Sequence, residues 1–123
     1  MIVLDTNYIL RYLLDDNHTM FLEAKKVIEE NSCLVLMEVI AEVIYVLKGV
    51  YSASKEDIVA SLIGFIEMNN ISMVEEKEIV FKTLKIFETK NLDFVDCYLC
   101  ALKKRYKIAT FDKKLLKCIA KDG

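Results

Sequence analysis

Ile2-Val3-Leu4-Asp5-Thr6-Asn7 decides how this chain reads. The first three residues are continuously apolar, as a short strand buried in a parallel sheet should be. Asp5, Thr6 and Asn7 then supply the side-chain oxygens that cap a helix, and Tyr8-Ile9-Leu10 and Tyr12-Leu13-Leu14 continue it. A strand that passes directly into a helix is the first half of a βαβ unit.

The same alternation recurs along the chain. Phe21, Ala24, Val27 and Ile28 are spaced for one face of a helix over residues 18 to 31. Leu34-Val35-Leu36 reads as a second buried strand, and residues 38 to 49 as a nearly all-apolar helix ending near Gly49. Ser54 with Asp57 forms a capping box that opens a helix running to Met68. Ile71-Ser72-Met73-Val74 is a third strand, followed by helices at 76 to 90 and 93 to 106. Ile108-Ala109-Thr110 is a fourth strand, and Lys113 to Ile119 a last short helix. Strands separated by helices pair in parallel through crossovers, so the expectation is an α/β fold. Its form is one three-layer α/β/α domain over residues 1–123 around a parallel sheet of four to five strands. In open sheets of this kind, ligands collect beyond the carboxyl ends of the strands.

Composition narrows the classes. A chain of 123 residues suits one domain, and 54% apolar residues set it apart from disordered chains. No apolar run reaches the roughly 18 residues of a membrane span, and the N-terminus lacks a basic, then apolar, signal segment. A cytoplasmic protein is expected, with Cys33, Cys97, Cys100 and Cys118 as reduced thiols. Cys97-x-x-Cys100 is half a zinc motif, but it lies in an apolar helix, has no second pair, and shares the chain with one histidine, His18. Packing is the expected role of these cysteines. The net charge of −2 does not mark a nucleic-acid binder. Lys103-Lys104-Arg105, Lys107, Lys113, Lys114, Lys117 and Lys121 nevertheless crowd the C-terminal end, either as a solvated helix face or as a rim that contacts phosphates.

Four carboxylates stand out against this background. Asp5 directly follows the first strand, and Asp112 lies two residues beyond Thr110 of the fourth, so both belong to the carboxyl edge of the sheet. Either is also explained as a helix cap. Glu42 interrupts Val39-Ile40-Ala41-Glu42-Val43-Ile44-Tyr45-Val46-Leu47, a helix that reads as buried on most sides. There it would be neutral, paired or metal-bound, unless Glu38, Glu42 and Tyr45 form an exposed stripe. Asp93 and Asp96 share one face at the start of a later helix, with Asp93 suited to the cap and Asp96 to a ligand. Two carboxylates about 4 Å apart repel by roughly 4 kcal/mol at an effective dielectric of about 20. If Asp5, Glu42, Asp96 and Asp112 converge, the set therefore calls for a hard divalent cation, Mg²⁺ or Mn²⁺.

These motifs resemble the PIN-domain family, and within it the VapC-type toxins of toxin–antitoxin pairs. The matching stretches are Val3-Leu4-Asp5-Thr6-Asn7, Ala41-Glu42-Val43-Ile44-Tyr45-Val46-Leu47, Leu92-Asp93-Phe94-Val95-Asp96 and Ala109-Thr110-Phe111-Asp112-Lys113-Lys114, in that order over nearly the whole chain. The resemblance implies a metal site at Asp5, Glu42, Asp96 and Asp112, with Thr6, Asn7, Asp93 and Thr110 in support. It also implies Mg²⁺- or Mn²⁺-dependent endonucleolytic cleavage of RNA, a homodimer and an inhibiting antitoxin protein. Lys113 and Lys114 would face the RNA backbone. Cys97 and Cys100 depart from the small residues common in the family, and Cys118 to Gly123 leave little chain for its last edge strand. The alternatives are a PIN-like binding module without turnover and an aspartyl phosphohydrolase. The second would want an acid at position 7, where this chain has Asn7.

Overall fold

The computed structural model describes residues 1–121; Asp122 and Gly123 lie outside the described residues. The chain divides into two compact units, Met1–Glu75 and Glu76–Gly123.

The first unit holds the sheet. Its elements are β1 (Ile2–Val3), α1 (Thr6–Leu14), α2 (His18–Glu30), β2 (Cys33–Val35), α3 (Met37–Gly49), α4 (Lys55–Ile66) and β3 (Ile71–Met73). The three strands lie in the order β1-β2-β3, all parallel, with Ile2 opposite Cys33 and Cys33 opposite Ile71. Each pair of neighbouring strands is joined through two helices, as parallel pairing requires. The core gathers Leu4, Ile9, Ile28, Val35, Ile40, Val43, Leu62 and Ile66, all essentially inaccessible to water. Burying one such side chain contributes about 1.5–3 kcal/mol, against about 1 kcal/mol for a cap, so burial holds the helices and caps locate their ends.

The caps are specific. Asp5 begins α1 by accepting from Tyr8 N (2.9 Å), Asn17 begins α2 through Met20 N (3.1 Å), and Ser54 begins α4 through Asp57 N (3.1 Å). Within the N-terminal apolar group Leu10 is buried, while Tyr8, Tyr12, Leu13 and Leu14 are half-buried. Tyr12 packs between Phe21 and Phe65, and its hydroxyl donates to Glu29 Oε2 (2.8 Å). Burial, then the Glu29 carboxylate, pushes its phenol up to about 12.

The second unit contains α5 (Lys77–Thr89), α6 (Phe94–Ala101) and α7 (Lys113–Ala120). Val80, Leu84 and Phe87 of α5 are buried, as are Phe94 and Cys97 of α6 and Leu115 of α7. Phe87 and Phe94 meet edge to face with centroids 6.1 Å apart.

Four expectations are corrected. Ile108-Ala109-Thr110 forms no strand, so the sheet has three strands among the described residues, where four to five were expected. A strand exists only through ladder bonds to a neighbour, and this stretch makes none; instead Asp112 N donates to Thr110 Oγ1 (3.0 Å). The helix expected over 93 to 106 stops at Ala101, because Leu102 N is shared between the Tyr98 and Leu99 carbonyls and the chain continues in turns. Ile2 and Val3 are exposed, as suits a strand with one ladder neighbour in its sheet, where burial was expected. Finally, Cys100 and Cys118 are joined in a disulfide with Cα atoms 6.1 Å apart, while Cys33 and Cys97 are free and buried. The packing of α6 against α7 brings together two cysteines that their separation of 18 residues had kept from being read as a pair. The doubtful C-terminal edge strand does not form as far as Lys121, since Lys113–Ala120 is helix; the last two residues lie outside the description. Among the described residues, no helix is long and apolar enough to cross a membrane.

Candidate active site

In the first unit, the carboxyl ends of β1 and β2 lead directly into α1 and α3, and these helices carry Asp5, Thr6 and Glu42. Asp5 is exposed at the N-cap, with Oδ1 held by Tyr8 N and Oδ2 without a bond among the described residues. Thr6 Oγ1 donates to Glu42 Oε2 (2.7 Å), which links the first residue of α1 to the second turn of α3. Of the two readings open for Glu42, burial or an exposed stripe with Glu38 and Tyr45, the structure has the stripe. Met37, Ile40, Val43, Ile44 and Leu47 occupy the packed face of α3, and Glu38, Glu42 and Tyr45 form an exposed stripe. The apolar run is longer than the face the helix buries, so it hides where the free side lies. Asn7 is exposed and lines a cleft of about 20 Å³ with Tyr8, Arg11 and Glu23.

In the second unit, two helix N-termini bear acids. Asp93 is the N-cap residue of α6, but its carboxylate makes no capping hydrogen bond. Asp96 sits half-buried in the first turn of α6. Burial raises its pKa above the ordinary aspartate value, and the charges of Asp112 and then Asp93 add to the rise. Asp112 caps α7: Oδ1 accepts from Leu115 N (2.9 Å), and Oδ2 has no bond among the described residues. Thr110 is half-buried and supports Asp112 through the backbone contact already described. Lys113 and Lys114 are exposed in the first turn of α7, where the helix dipole disfavours cations.

Some acids of the chain are paired, while others, such as Glu38 and Asp57, stand without a cation among the described residues. Asp16 meets Arg11 and Tyr51, Glu29 meets Lys25 and Tyr12, Glu76 meets Arg105, and Glu88 meets Lys85. Asp5, Glu42, Asp96 and Asp112 have no cationic partner among the described residues. Among the described residues, no three His, Cys, Asp or Glu stand together at metal-ligand spacing. Each unit instead contributes two of the four acids: Asp5 and Glu42 around Thr6, and Asp96 with Asp112 at adjoining helix starts. Within each unit the acids offer oxygen donors without a neutralising cation, and oxygen donors of this kind suit a hard divalent cation.

Sequence reading singled out Thr6 and Thr110 but passed over Lys82, Lys85 and Lys90, which the structure sets beside Lys103 and Lys121 around one cavity. The available signal was three lysines in the stretch 82 to 90, on a helix whose opposite face is apolar.

None of the curated proteins and none of the solved structures compared with the chain matches it. The model of one family, the PIN domain, matches residues 2–121 and so runs through both units. PIN domains are generally metal-dependent nucleases with a parallel sheet. Since the match spans nearly every residue and the sheet is of that kind, this chain belongs to the PIN domain family.

Proposed function

We propose that this protein is a Mg²⁺- or Mn²⁺-dependent endoribonuclease, the toxin of a toxin–antitoxin pair, acting in the cytoplasm as a homodimer restrained by an antitoxin protein. In this reading residues 1–123 form one three-layer domain, with Asp5, Glu42, Asp96 and Asp112 as catalytic metal ligands. The observation that supports it most is the 2.7 Å bond from Thr6 Oγ1 to Glu42 Oε2, which ties a second motif acid to the residue after Asp5 at the carboxyl ends of β1 and β2.

Asp5, Glu42, Asp96 and Asp112 would hold the ion. When bound, it would activate water and stabilise charge on a phosphoryl centre under in-line attack, giving a 5′-phosphate and a 3′-hydroxyl. The chain's own part is preorganisation. Tyr8 N, Thr6 Oγ1 and Leu115 N each fix one oxygen of Asp5, Glu42 and Asp112, leaving the second oxygen of each available. Asp93 and Asp112 bias Asp96 towards any positive charge that arrives. Asn7, Thr110, Lys113 and Lys114 serve as supporting and RNA-contacting groups.

The test is cleavage of a labelled single-stranded RNA with Mg²⁺, with Mn²⁺ and with EDTA, by the native chain and by Glu42→Gln. Cleavage that requires the metal and disappears in Glu42→Gln is expected. Cleavage by Glu42→Gln at the native rate would overturn the assignment. A second reading, a PIN module without turnover, draws on the two-and-two division of the acids between the units. Calorimetric titration with Mn²⁺ separates it: such a module binds no metal and cleaves nothing.

A further inference from the structure

The net charge of −2 conceals a strong polarity. Residues 76 to 123 carry twelve Lys and Arg against seven Asp and Glu, a net +5, which leaves −7 on residues 1 to 75. In the second unit the cations converge on two adjoining cavities of about 280 and 330 Å³. Lys114 and Lys117 of α7 line the first; Lys82 and Lys85 of α5, with Lys103, line the second. Lys90, Lys121 and Cys118 border both, and among the described residues no carboxylate lines either one. The Cys100–Cys118 disulfide pins α7 to α6 beside this basin, and Lys103 Nζ donates to the carbonyls of Cys118 and Lys121, holding the end of α7 in place. Lys90 and Lys121 stand close enough that their hydrogen bond, and then their mutual repulsion, lowers the Lys90 pKa. Ammonium groups gathered around open cavities are relieved by a multivalent anion.

We propose that this lysine-lined double cavity is a phosphate-backbone subsite, which anchors single-stranded RNA several nucleotides from the bond at Asp112. The eight residues of α7 span about 12 Å, with Asp112 at the N-terminal end and Lys121 just past the other. A strand lying along α7 therefore meets the acid at one end and the cations at the other. Phe111, the residue before Asp112, has its ring fully exposed and offers a face on which a base can stack. That feature favours nucleic acid over an acidic protein segment, which would use the lysines and leave the ring idle. RNA as the particular polyanion rests on the ribonuclease reading of the acids; the anion subsite itself does not.

The test is binding of a fluorescein-labelled 12-nucleotide RNA to the 123-residue chain in EDTA, where cleavage plays no part, from about 50 to 200 mM KCl. Each lysine–phosphate contact contributes about 0.7 to the log–log salt slope of a single strand, or about fivefold in affinity at 0.1 M salt. Lys90→Gln with Lys121→Gln should therefore weaken binding about 25-fold and make the slope shallower by about 1.4. Lys82→Gln with Lys117→Gln, one from each cavity, should do the same, and guards against a fold defect in the first pair. Phe111→Ala should weaken RNA about tenfold and leave binding of a polyglutamate peptide unchanged. Unaltered affinity and slope in both double variants overturn the subsite, whether or not the native chain cleaves RNA. Polyglutamate binding as tight as RNA binding, with Phe111→Ala silent on both, overturns its assignment to nucleic acid. If the subsite is present but cleavage is absent, the fault lies with the acids alone.

Discussion

Asp5 has two duties that a pair of substitutions separates. Its Oδ1 caps α1 through Tyr8 N at 2.9 Å, and the same carboxylate is a proposed metal ligand. Asparagine caps as well as aspartate, so Asp5→Asn keeps the hydrogen bond and loses only the charge–dipole contribution, about 0.3–1 kcal/mol at an exposed terminus. Asp5→Ala removes the cap as well and costs about 1 kcal/mol, some 4 °C in Tm for a chain of this size. For turnover the ranking vanishes. Both variants lose the anionic oxygen, and each should fall by more than the roughly 10–100-fold that follows removal of a residue merely supporting a metal ligand. Thermal melts by circular dichroism, together with initial rates on a fluorophore–quencher RNA at saturating Mn²⁺, measure both quantities in one protein batch. The expected pattern is a near-native Tm with no activity for Asn, and a lowered Tm with no activity for Ala. Metal-dependent cleavage that survives in Asp5→Asn and declines in Asp5→Ala only in step with its stability would show that Asp5 is a cap and nothing more.

Three further outcomes follow from the geometry. Thr6→Val removes the 2.7 Å bond to Glu42 and should lower activity by about 10–100-fold with little change in Tm, while Thr6→Ser restores it; a native rate in Thr6→Val would dismiss the positioning role. The Cys100–Cys118 disulfide closes a loop of 18 residues, so reduction, or Cys118→Ser, should cost about 3 kcal/mol in denaturant unfolding; a native chain indifferent to dithiothreitol would contradict the bond. Asp96 has a raised pKa, so the folded state holds its proton to higher pH than the unfolded chain does, and stability falls as pH rises above the ordinary aspartate value. In EDTA at pH 7, Asp96→Asn should therefore melt above the native chain, an advantage that vanishes near pH 3 and that added Mg²⁺ closes at pH 7. An equal or lower Tm at pH 7 would contradict the penalty that burial and then the neighbouring acids place on the ionised carboxylate.

Much of this fold was legible because its signals are local. The Ser54 box opens α4, the Phe21-Ala24-Val27-Ile28 face gives α2 to within one residue, and Leu34-Val35-Leu36 and Ile71-Ser72-Met73-Val74 mark β2 and β3 to within one residue. What escaped depends on neighbours. Ile108-Ala109-Thr110 has the composition of a strand and no ladder partner, and Cys100 meets Cys118 only once α6 and α7 pack. Glu42 stayed open between burial and an exposed stripe for a related reason: a run of apolar residues does not say which of them a helix leaves facing water. The candidate site was legible as a set of residue types in order. Its local bonds, Thr6 to Glu42 and Leu115 to Asp112, had to be seen in the fold.

The boundary at Glu75 and Glu76 separates Asp5 and Glu42 from Asp96 and Asp112, and this has a consequence for synthesis. Glu42 leaves the ribosome 54 residues before Asp96, about 3–11 s earlier at roughly 5–20 residues per second. A nascent chain bearing only the sheet-forming portion lacks half of the proposed ligands. If the acids act on RNA as proposed, such an order leaves the growing polypeptide without a complete ligand set until Asp96 and Asp112 have both been added.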